Sequence, residues 1–306
     1  MRFAPLAITV ATLAVVTCTR TDGGGAVAPS DPEFAHVQDL DGTPDLIVDA
    51  KTLATSWVVY DHTLREGTCS LVEANLSPGQ YRLLRFTVNT PNIGSADVFV
   101  GDPNRHWDPN HDGDGSDSDG LFENNACHHH YHFRNYALYQ LIDASGKITK
   151  ARKNGFCMID IKPYHDGAPP KSWVYRACGR PALPGFPSSE VPGNQGISVG
   201  YADQYYKWLD GQYFVLDDPN ADPVPPGDYT LRIWVNPPFT PTGGEPCPAR
   251  DLEGFCHMFT ESNYANNIGE ATITIPAHPG KTGVGPGSEK NPPDGELVDD
   301  ENRPDK

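Results

Sequence analysis

Proline and glycine interrupt this chain too often for long helices to form. There are 30 of each among 306 residues; proline removes a backbone donor and glycine loses more conformational entropy than any other residue on ordering. Between the breaks lie short β-rich runs: Leu46 to Val48, Ser56 to Tyr60, Arg82 to Val88, Ala137 to Ile142, Phe156 to Ile161, Trp173 to Tyr175, Tyr213 to Leu216, Tyr229 to Val235 and Ala271 to Ile275. Strands at this spacing, separated by turn residues, predict an all-β sandwich with long loops and few short helices. The length suffices for a sizeable core.

The ends of the chain read differently from its middle. Residues 1–18 have the form of an export signal: Arg2, then an apolar run from Leu6 to Val16 too short to span a bilayer permanently. The run ends Val15-Val16-Thr17-Cys18, similar to a bacterial lipobox, so Cys18 is a candidate lipid anchor with residues 19–35 as a flexible tether. Simple secretion is the alternative, and both routes place the protein outside the cytoplasm as a secreted or cell-envelope protein. Residues 36–276 form the folded domain, and 277–306, rich in Pro, Gly and charge, read as a disordered tail. The net charge of -17 argues against nucleic-acid and anionic-membrane partners, which need a basic surface, and suits cationic ones such as protonated amines. Setting Cys18 aside, six cysteines remain, consistent with three disulfides in an oxidising compartment; fifteen pairings are open.

The chemistry concentrates in Ala126-Cys127-His128-His129-His130-Tyr131-His132. If the stretch is extended, alternate side chains share a face, so His128, His130 and His132 converge while His129 and Tyr131 point away. Three neutral imidazoles suit copper, zinc, iron or nickel and leave coordination positions open. His106, His111 and His165 have no spacing that joins them to this set.

The six residues from Cys127 to His132 closely resemble the lysyl oxidase copper motif, Cys-His-x-His-Tyr-His. Four further segments resemble the same family in the same order: Arg82 to Phe86 with Asn92-Ile93-Gly94-Ser95-Ala96-Asp97; Lys153-Asn154-Gly155-Phe156-Cys157; Gly200-Tyr201-Ala202-Asp203-Gln204-Tyr205; and Gly227 to Leu231 with Val235-Asn236-Pro237 and Glu261 to Asn267. The resemblance spans residues 38–275. It implies copper on His128, His130 and His132, and a lysine tyrosylquinone cofactor made from Lys153 and Tyr205. Asp203 is a candidate general base or orienting partner. It also suggests the pairs Cys69–Cys127 and Cys157–Cys178, leaving Cys247–Cys256 to close a small loop. The implied function is oxidation of a primary amine, peptidyl lysine or a small amine, with O2 and water to aldehyde, ammonia and hydrogen peroxide. The chain departs from the family in two places: Leu138 stands where some members carry a histidine, and Leu121 to Asn125 replace tryptophans before the copper motif.

A further stretch carries its own signal. Asp108, Asn110, Asp112, Asp114, Ser116 and Asp119, with Gly113 at the sixth position, fit a twelve-residue calcium loop. Two other functions are compatible with the histidines: a non-catalytic extracytoplasmic copper-binding module, and a zinc hydrolase activating water at a three-histidine site.

Overall fold

The computed structural model describes residues 42–292, except 154, 165–168, 171–172, 184 and 243–244. The proposed signal, Cys18, the 19–35 tether and the last residues of the tail lie outside the described residues. In chain order the elements are α1 (Ala50–Ser56), β1 (Val58–Leu64), α2 (Cys69–Ala74), β2 (Gly79–Arg85), β3 (Val88–Pro91), β4 (Val98–Gly101), α3 (Asn104–Trp107), β5 (Phe122–Asn125), β6 (His130–Arg134), β7 (Ala137–Ile142), β8 (Ile148–Lys150) and β9 (Gly155–Phe156). They continue with β10 (Lys162–Pro163), β11 (Ala177–Arg180), β12 (Val191–Ile197), β13 (Tyr201–Tyr205), β14 (Tyr213–Val215), β15 (Gly227–Val235), β16 (Ala249–Arg250), β17 (Cys256–His257) and β18 (Ile268–Ile275). The fold is all-β, and no described α-helix exceeds seven residues.

The strands gather into several small sheets. The largest has the order β18-β15-β7-β8 and is antiparallel throughout. Its two-residue period is clean: Tyr229, Leu231, Ile233 and Val235 on β15 face inward, as do Ala271, Ile273 and Ile275 on β18. Leu231 lies opposite Leu141 on one side and Ala271 on the other. Truncating this fully buried side chain, Leu231→Ala, should cost about 2–5 kcal/mol, read as a lower urea midpoint with an unchanged slope. Behind this sheet an aromatic chain runs from Phe86 to Tyr139 (5.3 Å between ring centroids), from Tyr139 to Phe156 (5.4 Å) and from Phe156 to Tyr205 (5.0 Å). It carries the core directly to the strand bearing Tyr205.

Three disulfides, Cys69–Cys127, Cys157–Cys178 and Cys247–Cys256, are present; the first two are the pairs the family resemblance suggests, and the third closes the small loop left to the remaining cysteines. The tail boundary at 277 needs correction. Val284 exchanges backbone hydrogen bonds with Val59, Gly287 N–H donates to Trp57 C=O, and Asp61 N–H donates to Gly280 C=O. Glu289 meets Lys207 at 2.7 Å and accepts from the Tyr206 hydroxyl at 3.0 Å. Residues 277–292 therefore cover the outer edge of β1. Composition pointed to disorder because it registers the prolines and glycines and not the backbone groups of an open strand edge, which gain by being paired. Similarly, Ser56 ends α1, whose N-cap Asp49 accepts from Lys51 N–H and Thr52 N–H, and the strand begins at Val58.

Candidate functional site

The histidines sit on a hairpin. β5 and β6 pair with Asn125 opposite His130, and residues 126–129 form the turn between them. His130 and His132 project from β6 as alternation requires, but His128 does not belong to the strand. The turn brings it round: the Asn125 side-chain oxygen accepts from Cys127 N–H (3.1 Å) and His128 N–H (3.0 Å), and His129 takes a left-handed φ of 60°. Asparagine at the start of a turn makes this kind of side-chain bond readily. The result matches the expectation by a different route. His128, His130 and His132 are buried with one ring nitrogen of each within 4.8 Å of the others, and His129 is exposed.

The donor set fits a metal such as copper. His130 and His132 meet through their Nε2 atoms at 3.2 Å. His128 gives its Nε2 to the Glu73 carboxylate at 2.9 Å, while its Nδ1 is buried without a hydrogen-bond partner. A bare, buried ring nitrogen beside two others is a poor arrangement for hydrogen bonding and a good one for a cation. A second group, Cys69, His128 and Asp210, is equally close, but Cys69 is closed in its disulfide.

Lys153 and Tyr205 come together beside this cradle. β9 pairs with β6, setting Gly155 opposite Arg134 and Phe156 opposite Phe133, so the segment that begins with Lys153 runs next to the histidine strand. Lys153 is 5% exposed and Tyr205 4%. The lysine Nζ lies 5.3 Å from the centroid of the Tyr205 ring and 5.3 Å from that of Phe156. Tyr205 is held by its hydroxyl, which donates to the Cys157 carbonyl at 2.9 Å, and Cys157 is itself anchored to Cys178. Asp203 precedes Tyr205 by two residues on β13, so it shares that face of the strand, and it is buried.

Glu73, on α2, was not among the residues singled out from sequence. Beyond its bond to His128, its Oε1 accepts from Asn125 Nδ2 at 2.8 Å. Burial opposes charge on this carboxyl, but the His128 hydrogen bond and the positive charge of Lys153 outweigh it and hold the group down at about 2. Gly211 makes room here: at φ +70° it adopts a conformation that favours glycine, and a Cβ would sit 2.6 Å from Glu73 Oε2. The signal was present in the spacing, since Cys69 and Glu73 are four apart on a helix and share a face. The Cys69–Cys127 bond brings that face of α2 to the turn that carries His128. Replacing Cys69 and Cys127 together by serine should cost about 2–5 kcal/mol of stability and weaken copper binding as well, measurable by denaturation and chelator competition on one preparation.

A cavity of about 280 Å³ opens beside the pair, lined by Glu73, Lys153, Gly211, Tyr213, Asp218 and Asp222 among others. Asp218 is engaged by Arg152, and Asp222 by Lys147 at 2.9 Å.

The sequence profile of the lysyl oxidase family matches residues 44–243, which takes in the histidine hairpin, Lys153 and Tyr205. The chain belongs to the lysyl oxidase family. This member is similar to lysyl oxidase homolog 2 of Gallus gallus, 26% identical over 264 residues, covering 83% of this chain and 26% of the relative. It is 25% identical to the protein-lysine 6-oxidase of Homo sapiens over 253 residues, 78% of this chain and 47% of the relative. With lysyl oxidase homolog 4 of Bos taurus it shares 29% identity over 219 residues, 67% and 24% of the two chains. The alignments span under half the length of each of these relatives.

The acidic loop of this family member is a separate structure. Asp108, fully buried, accepts from Asp112 N–H (3.1 Å) and Gly113 N–H (2.8 Å), and Gly113 has φ +86°. Asn110, Asp112 and Asp114 each accept from the backbone N–H two residues on. Asp119 is engaged by His106 Nδ1 at 2.7 Å and by Leu121 N–H at 2.9 Å. No three of the loop's carboxylates converge as the histidines do.

Proposed function

We propose that this protein is a copper- and lysine-tyrosylquinone-dependent amine oxidase. It would take a primary amine, peptidyl lysine or a smaller amine, with O2 and water to aldehyde, ammonia and hydrogen peroxide. The observation that carries the reading is the placement of the Lys153 amine against the Tyr205 ring, both buried, beside three converging histidines. Burying Lys153 is costly, since charge is hard to remove from water; as a latent nucleophile the amine has a purpose there.

In this reading His128, His130 and His132 hold the copper. When bound, copper and the quinone built from Tyr205 and Lys153 supply the redox chemistry. The rest falls to the chain. The Cys157 carbonyl fixes the Tyr205 hydroxyl and Phe156 packs edge-on against the ring, so the ring cannot turn away from Lys153. The cavity admits the amine and limits water. Asp203 is the proposed base for the substrate α-proton, its carboxyl sharing the face of β13 that bears Tyr205.

The test is to load the protein with copper in air, digest it, and search by mass spectrometry for a covalent Lys153–Tyr205 peptide pair. Its presence, with amine-dependent peroxide release, supports the oxidase. Copper-replete protein without the crosslink points to a metal-binding module, and native zinc without it to a hydrolase. An extracytoplasmic location, by secretion or through a lipid on Cys18, is part of the same proposal; the three disulfides favour an oxidising compartment.

Calcium in the 108–119 loop is a separate proposal, supported by buried Asp108 and the turn at Gly113. Calcium should raise the melting temperature of the wild type, and Asp108→Ala should remove the rise.

A further inference from the structure

Glu73 is bonded to the histidine half of the site and lies near the lysine half. Its Oε1 lies 2.9 Å from His128 Nε2, and its Oε2 is buried without a hydrogen-bond partner, packed over Gly211, at which a Cβ would lie 2.6 Å from that oxygen and 3.6 Å from Lys153 Cδ. A carboxylate accepts and cannot donate, so the proton of the His128 ring must sit on Nε2. In the neutral ring that leaves Nδ1 unprotonated, and Nδ1 is the buried atom without a partner. The tautomer of the ring is therefore set from outside the metal cradle. Three contacts hold the carboxylate in place: the Cys69–Cys127 disulfide ties α2 to the hairpin turn, Asn125 Nδ2 donates to Oε1, and Gly211 leaves space on the far side.

We propose that Glu73 is a positioning residue for the metal centre, fixing the tautomer and orientation of His128 so that Nδ1 is the nitrogen presented to copper. The inference rests on the reading of the three histidines as the copper site. It assigns His128 a different ligand atom from the Nε2 atoms with which His130 and His132 face each other. Through its other oxygen the same carboxylate faces the lysine half of the site, so one side chain sets the spacing between the two.

Metal-ligating histidines depend on such outer partners, whose loss typically weakens metal binding by about 10–100-fold. The test measures copper(II) affinity by chelator competition under nitrogen, where no cofactor chemistry intervenes. Glu73→Gln keeps the volume and an acceptor oxygen but loses the charge, and should bind copper about 10-fold more weakly; Glu73→Ala should approach about 100-fold. Each change is repeated in a His128→Ala background. If Glu73 acts through His128, it should have no further effect there, because the group it positions is gone. Peptide mapping of the three disulfides checks that the variants are folded, and Glu73→Gln carries the test alone should Glu73→Ala fail to fold. Wild-type affinity in Glu73→Gln, or an equal loss with and without His128, overturns the assignment. Wild-type protein that takes up no copper overturns the copper reading and this inference with it.

Discussion

Lys153→Ala is expected to bind copper as tightly as the wild type and to release no peroxide from any primary amine. Lys153 lies outside the histidine cradle, so the cradle keeps its three imidazoles. What disappears is the amine held 5.3 Å from the Tyr205 ring centroid. Lys150 and Lys147 cannot replace it: both are more exposed, and Lys147 is occupied with Asp222. Lys153→Arg should fail equally, because a guanidinium stays protonated and is no nucleophile at neutral pH. Peroxide assay, copper content and the visible spectrum on one preparation decide the matter. Amine-dependent peroxide at the wild-type rate from Lys153→Ala would refute the oxidase proposal.

His130→Ala should fail for the opposite reason. The ring is buried and its Nε2 lies 3.2 Å from that of His132; without it two imidazoles remain. Copper affinity should fall by more than the about 10–100-fold expected for loss of an outer partner. Without copper the Lys153–Tyr205 crosslink should not form, and the two residues should be recovered as separate peptides. Copper retained through dialysis against a chelator, with the crosslink intact, would count against the three-histidine site. One variant thus keeps the metal and loses the amine; the other keeps the amine and loses the metal.

Much of this was legible in the sequence. The frequency of proline and glycine gave short strands, and β15 and β18 alternate as their residues suggest. The histidine triplet converges as expected, but strand alternation alone does not explain it. His128 is delivered by a turn whose signal is Asn125: asparagine favours turns, so residues 126–129 leave the extended conformation. Glu73 was missed because a lone glutamate on a short helix carries no motif; its role appears only when a disulfide 58 residues long in sequence is closed. The covering of β1 by residues 280–287 was missed for a related reason. Composition reports what a segment contains and not which backbone groups elsewhere lack a partner.

The hairpin that carries the histidines has a consequence for the order of assembly. All three lie within five residues of one another on a ribbon complete from Phe122 to Arg134, and hairpins close in about 1–10 μs. Lys153 and Tyr205 are separated by 52 positions, and their meeting waits on β13 docking against β3, a pairing between distant parts of the chain that pays loop-closure entropy first. A nascent chain can thus present its histidine ribbon while the tyrosine is still solvent-exposed. If the proposed cofactor forms, its maturation then has a direction: the half that would hold the metal forms early, and the half to be modified arrives only when the fold is nearly finished.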